Sequence, residues 1–192
     1  MNIISNLSIT VYESVRTGSD FAVAVYDTAG CSNVIFRTKH ETHKYTGDRF
    51  KDELEVCDAL RLGVCAVECT TQDHACYARA SLLFTTLVPV IKPSTSIATA
   101  ANDVRIGTVR TGDWDENGDW QDGDLYAVVT TKEDKEHHVY FNVVDGSPDA
   151  KNIHKHSSRS CKDAMVECLR ALGFNECKDS ANKIIQDLVD IK

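Results

Sequence analysis

Apolar and polar residues alternate at the start of the chain and then change period. In residues 7–15, Leu7, Ile9 and Val11 alternate with polar partners, the two-residue period of a half-buried strand. Residues 21–26, FAVAVY, form a short buried-type run, and 33–37 a shorter one. Thr17-Gly18-Ser19-Asp20 and Thr28-Ala29-Gly30 separate these runs with turn chemistry, so the pattern predicts an antiparallel meander.

From Asp48 the spacing becomes helical. Phe50, Leu54, Cys57 and Leu60 share a face, while Asp48, Asp52 and Glu53 occupy the first turn, where the helix dipole favours acids. Gly63 is placed as a helix stop. Residues 64–69 then predict a short strand, and 73–87 a second helix with Asp73 at its cap and Pro89 beyond its end. A long loop is predicted at 89–102, which holds two of the three prolines among mostly small residues. Three more strands follow at 104–110, 125–131 and 137–144, the last stopped by Asp145-Gly146-Ser147-Pro148. Two helices, 158–172 ended by Gly173 and 179–191, close the chain. The predicted class is α+β: a meander, a helix-strand-helix segment, a second β-hairpin region and two C-terminal helices. It reads as one compact domain over 1–192 with a sub-boundary in the 89–103 loop, and no internal repeat survives counting.

Composition narrows the function classes. Of 192 residues 42% are apolar and 26% charged, a globular balance that excludes disorder of the whole chain. With 21 Lys and Arg against 29 Asp and Glu the net charge is −8, which disfavours a protein that covers a nucleic-acid backbone. The longest apolar stretch, 80–91, is too short for a membrane helix. The N-terminus has neither the basic nor the apolar region of a secretory signal, so the expected location is the cytoplasm or another reducing compartment. Most of the eight cysteines, in that compartment, are expected to be thiols packed as small apolar side chains. The charge is also uneven. Residues 113–124 contain six acids and no base, leaving 21 bases and 23 acids in the other 180 residues.

That acidic segment carries the sharpest chemical pattern. Asp113, Asp115 and Asn117 supply oxygens at loop positions 1, 3 and 5, Gly118 stands at 6, and Asp124 at 12. The carbonyl of Asp119 falls at position 7, and Gln121 at position 9 is placed to hold a water. This order resembles the calcium loop of EF-hand proteins, and more closely that of their dockerin-type relatives. It implies Ca²⁺ ligation by side-chain oxygens around a glycine turn, here between strands instead of helices. Trp114 and Trp120, aromatic residues among the carboxylates, are candidates for contact with a protein partner.

Other patterns are weaker. Cys65, Cys69, His74 and Cys76 offer four zinc-ligand types within twelve residues, and His154, His156 and Cys161 a second group, but neither has paired Cys-x2-Cys spacing. No P-loop, G-x-G-x-x-G or G-x-S-x-G is present. The order of a three-stranded meander, helix, crossover strand and helix resembles the ribonuclease H-like plan. That resemblance implies a Mg²⁺- or Mn²⁺-dependent nuclease with Glu13, Glu53 and Glu68 as carboxylates. The leading expectation is a soluble binding or interaction protein with an acidic, calcium-type hairpin loop; the nuclease is the alternative. A nucleic-acid mimic is a third possibility that the clustered acids favour less.

Overall fold

The computed structural model describes residues 2–28, 30–47, 53–68, 74–91, 95–99, 103–149 and 153–191. Strands β1 (Asn2–Glu13), β2 (Asp20–Thr28), β3 (Cys31–Arg37) and β4 (Thr42–Gly47) form an antiparallel meander. Helices α1 (Glu53–Glu68) and α2 (His74–Thr86) follow, and then the short strands β5 (Val88–Pro89) and β6 (Ser96–Thr99), both of which return to pair with β1. A second meander comprises β7 (Arg105–Trp114), β8 (Trp120–Glu133), β9 (Glu136–Asp145) and β10 (Ile153–Ser158). Helices α3 (Cys161–Ala171) and α4 (Cys177–Asp187) come next, and β11 (Val189–Asp190) pairs back with β7. The protein is α+β, with two antiparallel sheets ordered β4-β3-β2-β1-β5 and β10-β9-β8-β7-β11.

Strand alternation gives each sheet two apolar faces, and both are used. The inner faces meet each other, packing Leu7, Ile9, Ala24 and Ile35 with Ile106, Ala127, Val129 and Tyr140. On the outer face of the first sheet, Phe21, Val23 and Phe36 pack against Ala59, Leu60 and Val64 of α1 and Ala80 and Leu83 of α2. Tyr126, Val128 and Phe141 of the second sheet meet Ala164, Met165 and Leu169 of α3 and Ala181 and Ile184 of α4 in the same way. The architecture is thus four layers: helices, sheet, sheet, helices.

One predicted element is replaced. Residues 64–68 continue α1 instead of forming a strand, so the segment is helix-turn-helix and the crossover strand of the ribonuclease H-like order is absent from it. The buried positions Val56, Ala59, Leu60, Val64 and Val67 recur every three or four residues through the run, a helical stripe that carries straight past Gly63. Gly63 is not a stop. A Cβ there would collide with the ring of Phe36, so the glycine lets the helix lie close on the sheet. The helix start and Phe50 predicted near 48–52, together with Asp73 and Cys69, lie outside the described residues. Among the described residues five strands fall where none was predicted: β4 and β10, the short β5 and β6 at the start of and within the predicted 89–102 loop, and β11, which replaces the end of the helix predicted over 179–191.

The chain also contains an internal repeat, contrary to the count along its sequence. Phe21, Val23, Val34, Phe36, Ala59 and Val64 occupy the places that Tyr126, Val128, Val139, Phe141, Ala164 and Leu169 occupy in the second half, each pair 105 positions apart (126 − 21). Before β2 the difference is 97 (106 − 9): Ile9 pairs with Val88, and Ile106 with Val189. After α1 it is 101 (181 − 80), relating Cys76, Ala80, Leu83 and Leu87 to Cys177, Ala181, Ile184 and Leu188. The closing hydrogen bonds match as well, Val90 N–H to the Leu7 carbonyl at 2.8 Å and Ile191 N–H to the Val104 carbonyl at 2.9 Å. Each half is one β4α2β unit, and the changes of offset mark where the two copies differ in length.

Candidate interaction site on the second hairpin

The first change of offset falls on the acidic segment. In the first half six residues, 14–19, separate the paired Glu13 and Asp20, whereas in the second half fourteen, 111–124, separate the paired Arg110 and Leu125. The second hairpin is therefore eight residues longer, and the extra length is the Asp- and Trp-rich stretch.

Its tip is closed by its own side chains. The Asp115 carboxylate accepts the backbone N–H groups of Asn117 at 2.8 Å and Asp119 at 2.9 Å through Oδ1, and the Gln121 side-chain amide at 3.1 Å through Oδ2. The N–H of Asp119, followed by that of Asn117, holds the carboxyl below its usual range. Gly118, at φ +81°, turns the tip. Asp113 Oδ1 accepts the N–H of Trp114 at 2.8 Å. Asp124 lies near the base of the hairpin instead, accepting Ser147 N–H at 2.6 Å and the Tyr126 hydroxyl at 3.3 Å. Burial, reinforced by the Asp124 charge, pushes Tyr126 up to about 12. Asp113, Asp115 and Asp124 are thus each engaged with different local donors. Among the described residues no three His, Cys, Asp or Glu side chains are grouped as a metal ion would require.

Trp114 and Trp120 are directly opposite each other across the hairpin, with ring centroids 5.4 Å apart at 74°. They remain 65% and 48% exposed, a large apolar surface standing free of any core. The Trp120 indole lies against Gly112, where any Cβ would strike it, and its N–H donates to Asp122 Oδ1 at 2.8 Å. Between this pair and the turn after α3 runs a groove of about 480 Å³, lined by both tryptophans, Tyr126, Phe174, Asp113, Asp124 and Glu176, with no Lys or Arg. Sequence reasoning found the tryptophans and the acids. It missed Phe174 and Glu176, which reach the site only because α3 packs on the second sheet.

In the first half the corresponding place is filled. Glu68, which stands where Gly173 does in the second copy, is buried and accepts the Tyr12 hydroxyl at 2.5 Å and the backbone N–H groups of Val15 and Arg16 at 2.9 Å. Arg16 Nε donates in turn to the Val67 carbonyl at 2.8 Å. The end of α1 is thereby fastened to the first hairpin turn, whereas the second copy, with glycine at that position, has an open groove.

The other predicted residues are apart. Strand alternation puts Glu13 on the face of β1 opposite to Tyr12, and Tyr12 holds Glu68, so these two carboxylates point to different sides of the sheet. The side chain of Glu53 lies outside the description. Cys65 is helical and buried, as are Cys76 and Cys168, and the His154, His156 and Cys161 group is not drawn into a metal-type cluster. Among the described residues no helix is long and apolar enough to cross a membrane. No protein-family model, curated protein or solved structure matches the chain.

Proposed function

We propose that the protein is an interaction module that grips a basic segment of another protein between the extended second hairpin and the turn after α3. The observation that carries this reading is the exposed Trp114–Trp120 pair at the mouth of a groove bearing carboxylates and no base. Aromatic faces attract ammonium and guanidinium groups, and the flanking acids supply complementary charge. The eight-residue extension adds to the support: the first copy builds its own sheet and helix layer without it, so the added length serves something other than folding. Calcium enters as an accessory ligand of the same loop through Asp113, Asp115, Asn117, Asp119 and Asp124. Its binding would exchange the N–H donors now held by Asp115 for the ion.

The chain has two tryptophans and both are in this hairpin, so their fluorescence reports on the site alone. Titration with an oligo-lysine peptide should change the emission, and the apparent affinity should fall as salt rises. Trp114→Ala and Trp120→Ala should each weaken binding about tenfold, or about 1.4 kcal/mol, with the melting temperature almost unmoved. An emission spectrum indifferent to oligo-lysine at millimolar concentration would sink the reading. Titration with CaCl₂ tests the accessory ion: a saturable response removed by Asp115→Asn supports it, and a flat one rejects it.

A further inference from the structure

Cys65 on α1 and Cys76 on α2 face each other with their sulfurs 2.8 Å apart, both buried, at 8% and 2% exposure. This is closer than the roughly 3.5–4.0 Å at which even two carbon atoms rest in non-bonded contact. A disulfide needs about 2.05 Å, so less than about 1 Å of side-chain motion separates the thiols from a bond. The two residues lie on either side of the helix-helix linker, and three residues beyond Cys65 stands Glu68, which ties α1 to the first hairpin. The second copy provides an internal comparison. The positions equivalent to Cys65 and Cys76 are Arg170 and Cys177, and the Cys177 thiol donates to the Phe174 carbonyl at 3.0 Å instead. The facing thiols are therefore peculiar to the first copy, like the Glu68 fastening beside them.

We propose that Cys65 and Cys76 form a thiol–disulfide exchange site, oxidised by a small disulfide of the glutathione type and reduced again by thiols. Cys65, the more exposed of the two, attacks one sulfur of the small disulfide as its thiolate, forming a mixed disulfide and releasing one thiol. Cys76 then attacks the Cys65 sulfur and expels the second thiol. The protons lost by the two cysteines go to the two leaving thiolates. The protein pair gives up two electrons and the small disulfide takes them, so two protein thiols and one disulfide become one protein disulfide and two small thiols. The bond staples α1 to α2 across the linker and fixes the helical layer over the first sheet.

The test is to incubate the full chain with oxidised glutathione, block remaining thiols by alkylation and map the products. Trypsin leaves Cys65, Cys69 and Cys76 in one peptide, 62–79, so cleavage after Glu68 and before Asp73 is needed to separate them. The expected product joins the Cys65 peptide to the Cys76 peptide, and the melting temperature of the oxidised chain rises by roughly 5–10 °C. That rise should be absent from Cys65→Ser and from Cys76→Ser. A bridge from either cysteine to Cys69, glutathione left attached to a single cysteine, or complete alkylation of both Cys65 and Cys76 would each overturn the proposal. Because the mapping uses the unsubstituted chain, it decides the matter even if a serine variant fails to fold.

Discussion

Glu68 is the residue on which the first half turns. Burial alone would raise its pKa. The Tyr12 hydroxyl, the N–H groups of Val15 and Arg16 and the Arg79 guanidinium at 3.9 Å outweigh burial and hold it below the ordinary carboxylate range. A pKa lowered by folding means that the stabilisation is fully present above the unfolded value, about 4.3, and is lost as pH falls through the folded value. Melting curves recorded between about pH 5 and pH 2 should therefore show a fall in the native chain that is smaller in Glu68→Gln. The variant itself should lose about 2–3 kcal/mol at pH 7, because it leaves partners of a charged acceptor poorly satisfied. An equal acid response in both chains would assign the effect to another group. None of this was legible in the sequence, where Glu68 read as a strand carboxylate: its donors come from a turn more than fifty residues away.

Among the elements, those with unbroken patterns were readable. The inner strands β2, β3, β8 and β9 are announced by buried apolar runs, α2 and α3 by the Pro89 and Gly173 that follow them, and α4 by its apolar side, although its predicted range runs past Asp187 into β11. The outer strands β4 (THKYTG) and β10 (IHKHSS) are not, because each covers only an edge and carries polar residues on both faces. The misreading of α1 has a steric cause, since Gly63 has the composition of a helix stop but the role of a contact. Gly63→Ala tests this directly. Alanine gains about 1 kcal/mol in helix propensity, but the collision with Phe36 should cost about 1–3 kcal/mol, and the balance by chemical denaturation should be a loss. A stabilised variant would show that the helix can lift from the sheet without penalty. The long hairpin belongs at this scale too. Replacing residues 111–124 by the six-residue turn 14–19 of the first copy should leave the melting temperature within a few degrees. The same change should abolish the oligo-lysine response.

At the scale of the whole molecule the four layers share one central core, to which both halves contribute. Neither half can keep its inner face dry alone, so calorimetry should find a single cooperative transition, and two resolved transitions would contradict the shared core. The repeat that builds this core could not be counted along the sequence because its offset changes twice. A longer hairpin shifts it from 97 to 105, and a helix pair that is four residues shorter between Leu169 and Cys177 than between Val64 and Cys76 returns it to 101, so no single spacing aligns more than part of the chain. The net charge of −8 takes on a local meaning in the same light, since six of the acids sit in the larger of the two regions where the copies differ in length. That divergence bears on valency. Two identical units joined head to tail would present two equal grips and could bridge a pair of partners. With one place filled by Glu68 and the other left open, the proposed interaction leaves this chain a single grip, and it should form a complex of one to one stoichiometry that ends an assembly instead of extending it.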